Sequence, residues 1–153
     1  MGNEKNYYIK ENYECNITES NTNIKTYFEP PRLNTYQISV YKYIGKLAKK
    51  IKAKNVLELG FGNGHKTMKY VRPYCSNVFG VDLPHSVNYA RNKFPEENWV
   101  EGNFDEDIKI AGAESFDIIY SVDVIEHLIF PEKLLNTIKH LADFNTLIIL
   151  STP

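Results

Sequence analysis

Gly60, Gly62 and Gly64 alternate directly behind the apolar run that ends at Leu59. Glycine at such positions permits positive φ and lets a ligand lie against the backbone. A helix opening just beyond would offer free N–H groups to a carboxylate or phosphate. The next apolar run ends in Asp82, and an acid roughly 20 residues beyond a glycine loop is placed to accept from the hydroxyls of a ribose. Standing alone before Leu83 and Pro84, Asp82 would read as a helix-cap or turn aspartate. Run, loop and acid together point to a nucleoside. A dinucleotide fingerprint, G-x-G-x-x-G counted from Gly60, would put its third glycine at His65; here the third glycine is Gly64 and the pattern is E-x-G-x-G-x-G, led by Glu58.

A second group, Asp123, Glu126 and His127, follows a later apolar run. On a helix these would share one face, directing two carboxylates and an imidazole into a cleft. His127 ordinarily titrates near neutrality, so the group could orient or deprotonate an acceptor. The same spacing also makes a capping box, with Asp123 as N-cap and Glu126 three residues on. Both readings stand at this point.

These residues must be held by regular elements. Short apolar runs over 55–59, 78–82, 98–102, 116–122 and 146–151 read as strands. Between them, 66–71, 85–94 and 131–142 read as helices. Before them, Thr35 to Ile51 is amphipathic: Ile38, Tyr41, Ile44, Leu47, Ala48 and Ile51 recur at three- and four-residue spacings, and Thr35 or Asn34 could cap it. Alternation of strand and helix predicts a doubly wound, mainly parallel α/β sheet with ligands at the carboxyl ends of its strands. Residues 1–34 show no sustained period and read as an N-terminal arm, its tyrosines arguing against full disorder.

The totals exclude several classes. A chain of 153 residues with 42% hydrophobic and 24% charged residues suits one globular domain without disulfide or metal staples. A net charge of −1 gives no global pull toward nucleic acid or an acidic membrane. Cys15 and Cys75 have no ligand or redox spacing and read as free thiols in a reducing compartment. With no apolar run of spanning length and no secretion signal, a cytoplasmic protein is expected.

From about Tyr36 to Pro153 the chain resembles the class I S-adenosylmethionine-dependent methyltransferases. The residues that carry the likeness are ELGFGNG (58–64), GVDLP (80–84), EGNF (101–104), SFDIIYSVDVIEHL (115–128) and the closing LIILSTP. The resemblance implies a Rossmann-like fold apparently lacking its last two strands, and methyl transfer from S-adenosylmethionine, leaving S-adenosylhomocysteine. It places Gly60, Gly62 and Gly64 under the methionine portion, with Phe61 in the loop and Glu58 fixing loop and amino group. It puts Asp82 on the ribose, Leu83 against the adenine, Asn103 on the adenine amino group, Phe104 over the ring and Ser121 beside the methionine amino group. Asp123, Glu126 and His127 become the candidate catalytic groups. The triplet is also similar to the E-x-x-E-H of metal-dependent members, so a divalent ion is an alternative role, though none is expected.

The expected acceptor is a small molecule offering O, N or C, with no membrane and no nucleic acid as partner. Two other readings remain: a donor-binding module without turnover, and a nicotinamide-dependent oxidoreductase, which the glycine spacing disfavours. An apolar edge strand at 147–150 is expected to be bare, which suggests either a shortened chain or self-association through that edge.

Overall fold

The computed structural model describes residues 36–106, 108, 110 and 115–153; the arm expected over 1–34 lies outside them. In chain order the elements are α1 (Ile38–Ile51), β1 (Asn55–Leu59), α2 (His65–Tyr70), β2 (Asn77–Asp82), α3 (Pro84–Lys93), β3 (Asn98–Glu101), β4 (Ile118–Val122), α4 (Pro131–Leu141) and β5 (Leu147–Ser151). Single 3-10 turns occupy Arg72–Tyr74 and Ile125–His127. Every expected strand and helix forms, its ends shifted by a turn or less.

The strands make one sheet in the order β3-β2-β1-β4-β5, with every neighbouring pair parallel. Parallel neighbours require crossovers, and the crossing helices cover the faces of the sheet, which is why the central strands lack polar alternation. β4 is buried at every residue, and β1 at all but its first. On one face Val56, Ile118, Tyr120 and Val122 meet Tyr41, Ile44 and Ala48 of α1. Val78 and Trp99 continue this layer against Phe61 and against Val87 and Ala90 of α3. On the other face Leu57, Leu59, Phe79, Val81 and Ile119 meet Phe104, Phe116 and α4 through Leu134 and Ile138. Each such fully buried aliphatic side chain contributes about 1.5–3 kcal/mol.

Helix ends follow local chemistry. Pro84 and Pro131 open α3 and α4, where a missing N–H costs nothing. α1 begins at Ile38 behind Gln37, which has φ 58° and caps through no side-chain hydrogen bond. The expected caps Asn34 and Thr35 lie outside the described residues. Within α1, Gly45 is a matter of space: a β-carbon there would come within 2.0 Å of the Tyr70 carbonyl oxygen, so α1 and α2 pack backbone to side-chain-free backbone.

Strand order reverses on either side of β1, between β2 and β4. That reversal opens a crevice at the carboxyl ends of β1 and β4, and the glycine loop leaves β1 directly into it.

Candidate active site

All three loop glycines have positive φ: 85° at Gly60, 62° at Gly62 and 73° at Gly64. Side-chain-bearing residues adopt this region at a cost, so the run of three explains the glycine pattern by backbone path. Gly60 N donates to the Val81 carbonyl at 2.8 Å, which ties the loop to β2. Asp82, at the end of β2, holds the loop from the other side. Its Oδ2 accepts from Gly62 N and its Oδ1 from Leu83 N, each at 2.7 Å. Burial raises its pKa to about 6, partly offset by those two bonds and by the Ser86 hydroxyl. A carboxylate offers about four acceptor positions, so roughly one remains for a ribose hydroxyl. Phe61, by contrast, turns into the protein and packs on Trp99 with centroids 4.6 Å apart. Trp99 is itself buried, its indole N–H donating to the Phe94 carbonyl at 2.8 Å.

Glu58 lies wholly inside the fold, on the face covered by α1. Register sets it opposite Tyr120 of β4. Oε1 accepts from the Tyr41 hydroxyl at 2.6 Å; Oε2 accepts from Tyr120 at 3.0 Å and from Thr67 of α2. The Thr67 and Tyr120 oxygens are themselves 2.9 Å apart. Burial pushes the Glu58 pKa up to about 7 against the pull of those hydroxyls and of Lys66. The acid therefore ties α1, β1, α2 and β4 together beneath the loop.

Beside this cluster stands Lys66, half-buried near the start of α2. Its Nζ donates to Gln37 Oε1 at 3.4 Å and lies 4.8 Å above the Tyr41 ring. Burial lowers its pKa, while attraction to Glu58 and Asp123 raises it.

The exit from β4 differs from the helix anticipated there. Asp123 has φ 53°, its N–H donates to the Ser151 carbonyl at 2.9 Å, and the next residues form only the turn Ile125–His127. The residue preceding this turn is Val124, with no side-chain cap. The capping box is therefore not formed, and no α-helical face gathers Asp123, Glu126 and His127. The left-handed backbone at Asp123 redirects the chain, and a full helix waits for Pro131. Burial raises the Asp123 pKa, while Lys66 and His127 draw it down. Both Glu126 carboxylate oxygens are buried without a hydrogen-bond partner. Among the described residues, no group of three or more His, Cys, Asp or Glu is gathered to hold a metal ion.

The remaining candidates sit around the crevice. Ser121 is buried in β4 and its hydroxyl donates to the Leu59 carbonyl at 2.8 Å, bracing the ends of β4 and β1. Leu83 is half-buried at the entry to α3. Asn103 is exposed and closes its own turn, its Oδ1 accepting from Asp105 N at 3.0 Å. Phe104 is buried in the layer under α4. Sequence reasoning missed Thr67, Tyr120, Gln37 and Lys66, and took Tyr41 for a core residue only. The E-x-G-x-G-x-G pattern marks Glu58, but its partners come from register and helix packing that no short motif encodes.

The family described as "Methyltransferase domain" matches residues 35–153. No curated protein matches the sequence. Among solved structures, the N-methyltransferase NodS from Bradyrhizobium japonicum, in complex with S-adenosyl-L-homocysteine, is 18% identical at a TM-score of 0.61, covering 78% of this chain and 66% of its own. An S-adenosylmethionine-dependent methyltransferase from Clostridium acetobutylicum is 18% identical at 0.62, covering 82% and 54%. A sugar N-methyltransferase from Streptoalloteichus is 10% identical at 0.62, covering 80% and 51%. At these identities the likeness is one of fold, and this chain spans between half and two thirds of the length of these structures. The sheet order, the glycine loop at its switch point and the family match over nearly all described residues agree: the chain belongs to the methyltransferase-domain family.

Proposed function

We propose that residues 35–153 bind S-adenosylmethionine at the β1–β4 crevice and transfer its methyl group to a small-molecule acceptor, with residues 1–34 contributing on the acceptor side. The observation that carries this reading is the loop itself: three positive-φ glycines leave β1 at the switch point, and the carboxylate ending β2 holds the middle one. When bound, S-adenosylmethionine supplies a methyl group already activated by a positive sulfur. The residues present fit it. Gly60, Gly62 and Gly64 give close approach, Asp82 keeps an acceptor position for the ribose, and Leu83 offers an apolar surface for the base. Solved structures of the same fold hold S-adenosylhomocysteine or S-adenosylmethionine, which supports the same ligand here.

The chain's own part in the chemistry is alignment, which can supply much of the acceleration of such a displacement. Asp123, Glu126 and His127 sit at the end of β4, where an acceptor would meet the methyl group. In this reading His127 takes the acceptor's proton, and the unpartnered Glu126 carboxylate receives a donor group from it. The relatives described as N-methyltransferases make an amine a natural first acceptor. A cytoplasmic location completes the reading, drawing on the unpaired cysteine spacing. Among the described residues no helix is long and apolar enough to cross a membrane.

Release of S-adenosylhomocysteine from S-adenosylmethionine, measured against a panel of amines, phenols and carboxylates, tests the proposal. Acceptor-dependent turnover that falls at least about tenfold in His127→Ala supports it. Tight donor binding with no turnover on any acceptor would leave a binding module instead.

A further inference from the structure

Lys66 is a half-buried ammonium for which the fold provides no bonded carboxylate. Among the described residues its contacts are the Gln37 amide oxygen at 3.4 Å and the face of Tyr41 at 4.8 Å. The acids that attract it, Glu58 and Asp123, act without an ion pair. Glu58 is already engaged by Tyr41, Thr67 and Tyr120. Removing an ammonium from water without a paired anion is costly, and burial shows here as a weakened hold on its proton.

Its position tells which anion would relieve that cost. Lys66 lies near the start of α2, directly behind Gly64. Glu58 precedes Gly60 at the end of β1, and Asp123 is the first residue after β4. The ammonium thus stands beside the crevice between β1 and β4, held in place by an amide and a ring rather than by a competing charge. A carboxylate there would gain a charge-assisted hydrogen bond from Lys66. Asp123 nearby repels a carboxylate and attracts an ammonium, so the two side chains together fit an α-amino-acid zwitterion in one orientation.

Resting on the donor reading of this site, we propose that Lys66 anchors the α-carboxylate of the donor's amino-acid end and makes the chain select donors that carry it. Gln37, at the head of α1, sets the direction of the ammonium and so links this selection to the helix bordering the crevice.

The test is calorimetric titration of the full chain, as wild type, Lys66→Met and Lys66→Arg, with S-adenosylhomocysteine and with its decarboxylated analogue. The wild type is expected to prefer the carboxylate-bearing ligand by about 10- to 100-fold, the range of one charge-assisted hydrogen bond. Lys66→Met should bring the two ligands to similar affinity while leaving the decarboxylated one unchanged, and Lys66→Arg should keep most of the preference. Equal weakening toward both ligands in Lys66→Met, or a wild type that does not discriminate, would overturn the assignment and make Lys66 a packing residue. The wild-type comparison decides by itself if Lys66→Met does not fold. Wild-type protein that is folded yet binds neither ligand would instead sink the donor reading, and this inference with it.

Discussion

Glu58 is held by three hydroxyls and no directly bonded cation, and that arrangement couples stability to pH. Its folded pKa, about 7, lies above the ordinary 4.5, so between those values the native state binds the proton more tightly than the unfolded chain. The Glu58 contribution is therefore greatest in acid, declines as pH rises through about 7 and is flat beyond. A shift of this size corresponds to at most about 3 kcal/mol. Asp82, raised from 3.8 to about 6, acts in the same direction over a lower window. Replacing Glu58 by Gln removes one of the two: urea titrations should show the variant gaining on the wild type as pH goes from about 5 to about 8, by as much as about 3 kcal/mol. Parallel pH profiles would mean that Glu58 is already ionised in the native protein. The sequence showed the acid but not its partners. Tyr41 occupies a helical stripe in the sequence, Thr67 has no motif, and Tyr120 is an apolar-run residue until register sets it opposite Glu58.

At the scale of elements, strands and helices were legible because burial dictates their pattern. The apolar runs at 55–59 and 116–122 can only be strands covered on both faces, and α1 shows its stripe in the spacing of Tyr41, Ile44 and Ala48. The exit from β4 was not legible. Asp123 and Glu126 have helix-cap spacing, yet the backbone turns left-handed at Asp123 and makes only one 3-10 turn, a choice set by pairing of Asp123 N–H with Ser151 across the sheet. Tertiary contact overrode the local signal. Gly45 gives the corresponding prediction for helices. In a free helix, Gly→Ala would be favourable by about 1 kcal/mol. Here the added methyl group would meet the Tyr70 carbonyl oxygen at 2.0 Å, and a backbone atom cannot swing aside. Gly45→Ala should therefore destabilise the fold, by about 1–3 kcal/mol in denaturant titration. An unchanged or raised midpoint would show that α1 and α2 separate at little cost.

The whole molecule is a sheet whose described part ends at β5, paired on one side only. Leu147, Ile148 and Leu150 are each more than a third exposed there, and a parallel edge with apolar side chains invites another strand. Self-association through β5 predicts concentration-dependent dimers in sedimentation that Ile148→Lys abolishes; a monomer at high concentration would remove that role from the edge. The central claim concerns the opposite feature, the switch point that the strand order creates and the glycine loop occupies. It was legible because loop, acid and strand alternation are local signals in a fixed order, whereas the charge beside it, Lys66, needed the fold to bring α1 and α2 together. Isothermal titration of the chain with S-adenosylmethionine, S-adenosylhomocysteine and NAD⁺ tests that claim most directly. The account predicts saturable binding of the two sulfur nucleosides, with dissociation constants on the order of micromolar, and no heat from NAD⁺. Folded protein that ignores both sulfur nucleosides, or prefers NAD⁺, would contradict it.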